Sequence, residues 1–474
     1  MQKPQWEKLL FALLLTVAGI FAFWLVLSSS ISAFAKFVLS ITVFSLCGIA
    51  LSKAFGLEGW GGLILLRSKW GLKEIELLAK RHPKLWQHIV EIGMVVSYGS
   101  FAHFLLGKKE TSLKHFLIVY GVGTVFLVVF ATVIAPLAVT SLISMLSGAE
   151  EFTAAKARMN ETVAQFEYSR QIFFILLVFG GMALTTTVSI VVYGIGVAWA
   201  ILSAILGNHE VLASTAPGGS PIIPGVNLPL IEGLAALLVV LIAHEGFHGI
   251  LARKHNIPVN SAGVALFGFV PIGAFVDVDE KKLFAQNKEH QNSVLVAGIS
   301  ANFLVSLVFL MLFFFAVNLT EPLRVSGIYV EKSDGVIPEG ALIKEINGKP
   351  VYTLLGLKLK PETVYTIKTD VGTFKKKTDE KGNLGINYVR ADKSGKEGAI
   401  RYAKGFGWIS ALLRSFILAF ALNFIVAAMN LVPLPLFDGY HIMRTAIKSK
   451  FWQAVIVYLV VGAFLLNLFP WVLR

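Results

Sequence analysis

Three ionisable residues lie close together in an otherwise apolar stretch, "LIAHEGFHGI" at residues 241–250. On a helix, residues four apart stand on one face, so His244 and His248 can offer two imidazole nitrogens to a single metal ion. Glu245 stands beside that metal position, where its carboxylate can take a proton from a bound water. Zinc lowers the pKa of such a water to about 7 and polarises a carbonyl group. The spacing therefore predicts zinc-dependent hydrolysis.

The apolar setting makes this short motif more specific than its five residues alone. A charged group in the middle of a membrane helix costs at least ~2.5 kcal/mol on insertion scales. One histidine could be explained by a hydrogen bond to a neighbouring helix. That explanation does not account well for two histidines and a glutamate together.

A catalytic zinc ion takes a third protein ligand and keeps one position open for water. The candidate is Asp438, within "NLVPLPLFDGYH" at residues 430–441, where Pro433 and Pro435 end an apolar helix. Asp438 could also cap the following helix, a role compatible with metal binding. His441 is a rival ligand. We expect one Zn²⁺ per chain, held by the two histidines and Asp438.

The composition places these residues in a polytopic α-helical membrane protein. Of 474 residues, 55% are hydrophobic and 15% are charged, whereas soluble domains carry about 25% charged residues. Several apolar runs exceed the roughly 18 residues needed to cross a bilayer. The single cysteine, Cys47, excludes a disulfide framework or a cysteine metal cluster. The net charge of +13 is typical of cytoplasmic loops and lipid contacts in a membrane protein, so we expect no nucleic-acid partner.

The chain divides into four stretches. Residues 1–227 form an N-terminal membrane region with about five spans and an amphipathic, basic segment, 53–88, that we place in the cytoplasm. Residues 228–320 and 402–474 contribute four further spans. Between them, residues 321–401 are hydrophilic, with short β-like runs and turn signals that predict a small β-rich domain. The expected spans lie near residues 9–28, 31–52, 89–106, 116–147, 172–206, 229–252, 293–317, 408–431 and 453–472.

The stretch "SAGVALFGFVPIGAFVDVD", residues 261–279, is apolar but contains Gly263, Gly268, Pro271 and Gly273. This pattern favours a re-entrant loop or a hairpin over a helix. Irregular backbone at membrane depth is tolerated only where it is buried or lines a cavity, and hydrolysis needs a wet cavity. We hypothesise that this segment pairs with an unwound substrate segment by β-augmentation.

The short loops predict the orientation of the chain. Basic loops at residues 252–256, 279–290 and 444–450 fall on one side if the spans alternate. Because short cytoplasmic loops are enriched in lysine and arginine, that side is the cytoplasm. We therefore expect the metal site nearer the cytoplasmic side and the hydrophilic insert on the opposite side.

Four stretches together carry a family resemblance: "HEGFH", "GAFVDVDE" (273–280), "GISANF" (298–303) and "NLVPLPLFDG" (430–439). Over roughly residues 228–474 the chain resembles the site-2 protease family of intramembrane zinc metalloproteases. The insert resembles the PDZ domain that this family carries between its second and third core spans. The resemblance does not extend to the N-terminal region.

The resemblance implies the two histidines and Asp438 as zinc ligands and Glu245 as general base. Asn302 and Asn430 resemble polar residues of the family that support the substrate or the transition-state oxygen. From the residues alone, hydrogen bonds between helices explain these two amides about equally well. The implied function is regulated intramembrane proteolysis, with transmembrane substrates already trimmed by another protease.

Two other functions are compatible with ionisable groups in membrane helices. A transporter or channel also uses broken helices and intramembrane charges. A non-catalytic scaffold could bind metal and recruit partners through the insert. The intact ligand set and base favour the protease.

Overall fold

The computed structural model describes residues 5–472, apart from residues 32, 107–112, 147–168, 220–221, 223–227, 326, 351–358, 392–400, 403–405 and 407. The chain separates into two compact units. Met1–Val308 and Leu418–Arg474 form the first unit, and Phe309–Ile417 forms the second.

Most of the described chain is helical. In chain order the helices are α1 Gln5–Ser28, α2 Ala33–Phe55, α3 Leu72–Arg81, α4 Pro83–Tyr98, α5 Ala102–Leu106, α6 Leu113–Val129, α7 Ala135–Leu146, α8 Ser169–Ile205, α9 His209–Ser214, α10 Leu230–Lys254, α11 Glu280–Phe284, α12 Lys288–Leu295, α13 Ala297–Leu319, α14 Trp408–Asn430, α15 Asp438–Ala446 and α16 Lys450–Val472.

The described residues contain eight candidate spans that are long and apolar enough to cross a membrane. They are α1, α2, α6 continued into α7, α8, α10, α13, α14 and α16. Together with the antiparallel strands described below, they confirm the predicted polytopic helical membrane protein with a β-rich insert.

The segment near residues 89–106, where a span was expected, is not one continuous helix. Helix α4 ends at Tyr98, a 3₁₀ turn covers Gly99–Phe101, and α5 is only five residues long. Gly99 has a φ of +55° and lies against Gly181, where α8 is itself broken with a φ of +61°. A Cβ on either glycine would overlap the backbone of the other. The described part of the N-terminal region therefore holds four candidate spans.

The longest apolar stretch before α8 contains a local distortion. A π turn covers Phe130–Ile134, between α6 and α7. Pro136 lies two residues after this turn, and proline lacks an N–H group and clashes with the carbonyl four residues earlier. The π-helix is rare and occurs mostly as single turns of this kind inside α-helices.

The first unit contains a four-stranded antiparallel sheet. Its strands are β1 Glu58–Trp60, β2 Leu63–Ser68, β3 Val259–Phe267 and β4 Val270–Val278, in that spatial order. Strands β3 and β4 form the hairpin that was one of the two predicted forms of residues 261–279. Its turn contains Gly268, whose φ of +65° favours glycine. Strand β2 pairs with β3, so part of the basic segment 53–88 belongs to the same sheet.

Other contacts join the N-terminal region to the rest of this unit. Helix α3 packs against α10, where a Cβ on Gly249 would meet Ile75, and α8 packs against α16. Arg67 of β2 forms ion pairs of 2.8 Å with Glu58 and 2.7 Å with Asp277 of β4. The N-terminal region is thus a structural part of the unit that contains the HEGFH helix.

The second unit has a small β-structure of its own. Its strands are β5 Arg324–Val325, β6 Gly327–Ser333, β7 Leu342–Ile346, β8 Lys349–Pro350, β9 Val364–Thr369, β10 Thr373–Lys377, β11 Ile386–Ala391 and β12 Arg401–Tyr402. One sheet has the order β10-β9-β7-β6-β11, with β8 on β7, and β5 pairs with β12. Residues 351–358 and 392–400 of the insert lie outside the described residues, and its likeness to a PDZ domain stays a prediction.

Isoleucine and valine side chains on the inner faces of these strands form the core of the insert. Ile328, Ile343 and Ile367 are almost completely buried there. Lys376 is also buried, at 7% side-chain exposure, and its ammonium group lies 2.6 Å from Asp334. Burying a lysine requires such a partner, because an unpaired charge in an apolar core is strongly unfavourable.

Candidate active site

Helix α10 presents both histidines on one face. The Nε2 atoms of His244 and His248 are 3.2 Å apart, and the two side chains are 11% and 12% exposed. The helix is long and apolar enough to span a membrane. The i, i+4 spacing therefore places two imidazoles together inside the protein, as the sequence predicted.

The loop after α14 carries Asp438 to these histidines. Val432 and Leu434 are buried in the loop and pack with Val460 of α16. Their burial anchors the chain on both sides of Pro433. The direction of the loop is therefore set by apolar packing, and Asp438 follows as the first residue of α15.

The residues on either side of Asp438 explain its placement. Phe437 occupies the N-cap position of α15, and no side-chain cap hydrogen bond forms there. Gly439 lies against the end of α14, where a Cβ would overlap the Leu431 carbonyl group. Close packing, rather than an unusual backbone conformation, is what requires glycine after Asp438.

Three potential ligand atoms form a nearly equilateral triangle. Asp438 Oδ2 lies 3.2 Å from His244 Nε2 and 3.3 Å from His248 Nε2, and the two nitrogens are 3.2 Å apart. In a tetrahedral zinc site with bonds of about 2.0–2.1 Å, neighbouring ligand atoms are about 3.3–3.4 Å apart. Within the described residues this is the group of three His, Cys, Asp or Glu side chains that could hold a metal ion. The donor set and its spacing fit zinc.

The hydrogen bonding of His248 supports the same conclusion. Its Nδ1 atom lies 2.7 Å from the carbonyl oxygen of Val294. A carbonyl only accepts, so Nδ1 carries the proton, and in the neutral ring the Nε2 lone pair faces the triangle. Asp438 Oδ2 is buried and receives no hydrogen bond from the described residues. The lone pairs of His248 Nε2 and Asp438 Oδ2 therefore face the same point, where a bound cation would stabilise them.

Asn302 lies behind the first histidine, on α13. Its amide nitrogen is 3.2 Å from His244 Nδ1, its side chain is fully buried, and its Oδ1 atom is without a hydrogen-bond partner in the described part of the chain. A metal on Nε2 of His244 requires the proton on Nδ1, so in a metal-bound site the Asn302 amide would present its Oδ1 atom to that N–H, and such an acceptor orients the ring and tunes its basicity. This placement supports a role in orienting His244, a different contact from the substrate contact that the resemblance implied.

Gly298, one turn before Asn302 on α13, allows the two helices to approach at the site. A Cβ at Gly298 would overlap the rings of both His244 and His248. The imidazoles therefore occupy the space that any other residue at position 298 would fill.

Glu245 points toward the sheet. Its Oε2 atom accepts a hydrogen bond of 2.9 Å from the backbone N–H of Val276, on β4. The candidate base is thus held by the hairpin that follows its own helix.

Two other predicted site residues do not belong to the group of three potential ligands. The Asn430 amide donates to the Val426 carbonyl of its own helix, at 3.0 Å, and it makes no hydrogen bond to the three ligand residues in the described structure. The ring of His441 lies against Phe284 and Tyr440 instead. The rival ligand is therefore not part of the group.

Sequence reasoning missed the contributions of the N-terminal region and of the backbone. The Tyr98 hydroxyl, at the end of α4, is buried, has no hydrogen-bond partner among the described residues, and interacts electrostatically with Asp438. The Val294 carbonyl and the Val276 N–H are backbone groups, which no side-chain motif can reveal. Among these features only "GISANF" carried a signal in the sequence, because it contains Gly298 and Asn302, which lie against the imidazoles.

The residues of this site lie within the part of the chain that matches a known protein family. The profile described as peptidase family M50 matches residues 232–469, which is half of the chain. "Uncharacterized protein MJ0971" of Methanocaldococcus jannaschii is 29% identical over 224 residues, which cover 45% of this chain and 57% of that protein. The chain thus spans little more than half the length of this relative.

Proposed function

Because the chain belongs to peptidase family M50, the site-2 protease family, we propose that it is an intramembrane zinc endopeptidase that cleaves transmembrane proteins within or near the bilayer. One observation carries the proposal. Three ligand atoms, 3.2–3.3 Å apart, converge beside Glu245 on a helix long enough to span a membrane.

In this function His244, His248 and Asp438 would hold one Zn²⁺. When bound, the zinc ion lowers the pKa of a water molecule to about 7 and polarises the carbonyl of the scissile peptide bond. The Val294 carbonyl holds the proton of His248 on Nδ1, which keeps Nε2 available. The protein thus supplies the ligands already oriented.

Glu245 acts as the general base. Its Oε2 atom is occupied by the Val276 N–H, so the carboxylate is held in one orientation and Oε1 remains to accept the proton of the attacking water. The same carboxylate can then deliver that proton to the leaving amine. A base fixed by a backbone donor keeps its position during both transfers.

Strand β4 receives the substrate. A transmembrane helix must unwind before cleavage, because its peptide groups are locked in hydrogen bonds along the helix. Val276 N–H points away from β3, and residues alternate in an antiparallel strand, so the N–H and C=O of Ala274 point the same way. No described strand pairs with this edge of β4. An unwound segment added there runs alongside Glu245.

The basic loops support the orientation of the site. Arg253 and Lys254 end α10, and Lys281 and Lys282 lie in the next connection. We infer that these loops are cytoplasmic, which puts the C-terminal half of α10 and its histidines nearer that side. One crossing by α13 then leads to the insert on the opposite side. The substrates are membrane-anchored regulators already shortened by another protease, as in regulated intramembrane proteolysis.

Purified full-length chain tests the proposal. We expect about one zinc per molecule by elemental analysis, cleavage of a single-span substrate in detergent or liposomes, loss of cleavage with a chelator, and recovery with zinc. A chain that binds zinc and cleaves no membrane-embedded peptide is a metal-binding scaffold. Ion flux that is insensitive to the chelator identifies a channel or transporter.

A further inference from the structure

A strained turn immediately precedes Asp438. The Phe437 N–H donates to the Leu434 carbonyl at 3.1 Å, so residues 434–437 form a β-turn. Pro435 stands at its second position, and Leu436, at its third, has a φ of +80°. This is the pattern of a type II turn, whose third position favours glycine. Leucine is disfavoured there because its Cβ crowds the backbone.

Packing against the described residues does not offset this strain at Leu436. It is 95% exposed, the most exposed of the large apolar side chains in the described residues. The two ends of the turn are packed: Leu434 is 6% exposed, and Leu434 and the partly buried Phe437 belong to the cluster around Val460. The anchored neighbours hold the turn in place and leave Leu436 projecting from it.

Exposed leucines are common in a membrane protein, so exposure alone would indicate only contact with lipid. A lipid contact does not need a strained backbone, since leucines on α16 face outward from an ordinary helix. Strained residues that persist are concentrated at functional sites, where the surrounding structure enforces them. Strain and exposure coincide at Leu436, two residues from a candidate metal ligand.

The distance to the site is set by the chain itself. Two residues span at most about 7 Å, so Leu436 lies within reach of any peptide held at Asp438. A leucine side chain in that place offers a peptide an apolar surface and no hydrogen bond.

We propose that Leu436 is a specificity-determining residue, which contacts an apolar side chain flanking the scissile bond of the substrate. This inference rests on the proposed function. Leu436 thereby selects unwound segments that carry a large aliphatic or aromatic residue at one flanking position over those that carry a polar or charged residue. The strained turn is retained because it presents the leucine to the substrate.

The test uses full-length chain and single-span substrates with Leu, Ala or Asp at each position flanking the cut. Wild type prefers Leu at one position. Leu436→Gly relieves the strain, so we expect a higher melting temperature, unchanged zinc content, and a roughly 10- to 100-fold lower kcat/KM on the preferred substrate. The preference disappears in Leu436→Ala as well, and it persists in Leu436→Met.

Leu465→Ala is the matched control, because Leu465 is 61% exposed on the regular helix α16. It leaves the preference unchanged. Loss of zinc in Leu436→Gly and Leu436→Ala makes Leu436 a structural residue and overturns the inference, as does an unchanged preference in both variants. Wild type that cleaves no substrate of the series refutes the proposed function, and the inference falls with it.

Discussion

The Oε2 atom of Glu245 and the backbone N–H of Val276 are joined by a hydrogen bond of 2.9 Å. This bond links the HEGFH helix to the edge strand of the sheet. It couples the proposed general base to the strand on which we place the substrate. In the proposed function, proton transfer and substrate binding therefore depend on one contact.

Glu245→Gln separates metal binding from proton transfer. The amide oxygen can still accept from Val276 N–H, and the three ligand residues stay, so zinc content and melting temperature remain those of wild type. Turnover falls by about 10²- to 10⁴-fold, because the general base is lost. Substrate cleavage by gel assay and zinc by elemental analysis measure the two effects. Cleavage at the wild-type rate would show that Glu245 is not the base.

Ala274→Pro tests the edge of β4. Proline removes the outward N–H and is tolerated at the edge of a sheet. We expect a several-fold higher KM for a membrane-embedded substrate, with zinc content unchanged. Ala274→Val keeps the N–H and serves as the control. Equal kinetics in the two variants would argue that the substrate does not pair with this strand.

Asp438→Ala distinguishes the third ligand from its rival. Removal of the carboxylate leaves two imidazoles, so zinc is lost during purification and activity disappears. His441→Ala is expected to retain zinc, because that ring packs against Phe284 and Tyr440. Loss of zinc in His441→Ala with zinc retained in Asp438→Ala would instead identify His441 as the third ligand.

Gly298→Ala introduces a methyl group where the two imidazole rings lie. The rings must move, so we expect loss of zinc or a lowered melting temperature. Gly246→Ala is a matched control on α10, where a Cβ would meet nothing within 4 Å. It retains zinc and gains some helix stability, since alanine restricts the unfolded chain. Normal zinc binding by Gly298→Ala would contradict the packing described for the site.

Asn302→Leu removes the polar group at His244 Nδ1. Such changes lower metal affinity by about 10- to 100-fold. Asn302→Asp offers oxygen acceptors to the ring and is expected to bind zinc more tightly than the leucine variant. Competition with a chromophoric chelator measures both. Equal affinities would mean that Asn302 does not orient the ring.

Sequence reasoning identified the family and most of the spans because those features depend on local patterns. HEGFH lies on one helix, and the apolar runs are continuous, so spacing and hydropathy suffice. Asp438 was proposed as a ligand from the stretch "NLVPLPLFDG", in which Pro433 and Pro435 end a helix. The glycines of residues 261–279 favoured a re-entrant loop or a hairpin over a helix, and the structure has the hairpin.

The remaining features depend on contacts between distant segments. Strand β2, "LILLRS", has too few residues to be distinguished from a helix by periodicity, and it becomes a strand by pairing with β3. The break at Gly99 depends on Gly181, which lies in another helix. The strain at Leu436 follows from anchors on α16 and is invisible in the order of residues alone.

The pairing of β2 with β3 has a consequence for how this protein can be divided. A fragment limited to the stretch that matches the peptidase family would lack β2, and the backbone N–H and C=O groups of β3 that pair with β2 would be left without partners. Unpaired strand edges of this kind invite intermolecular association. The N-terminal region is therefore needed to cover β3, and we expect a fragment that begins after residue 227 to aggregate unless another strand takes the place of β2.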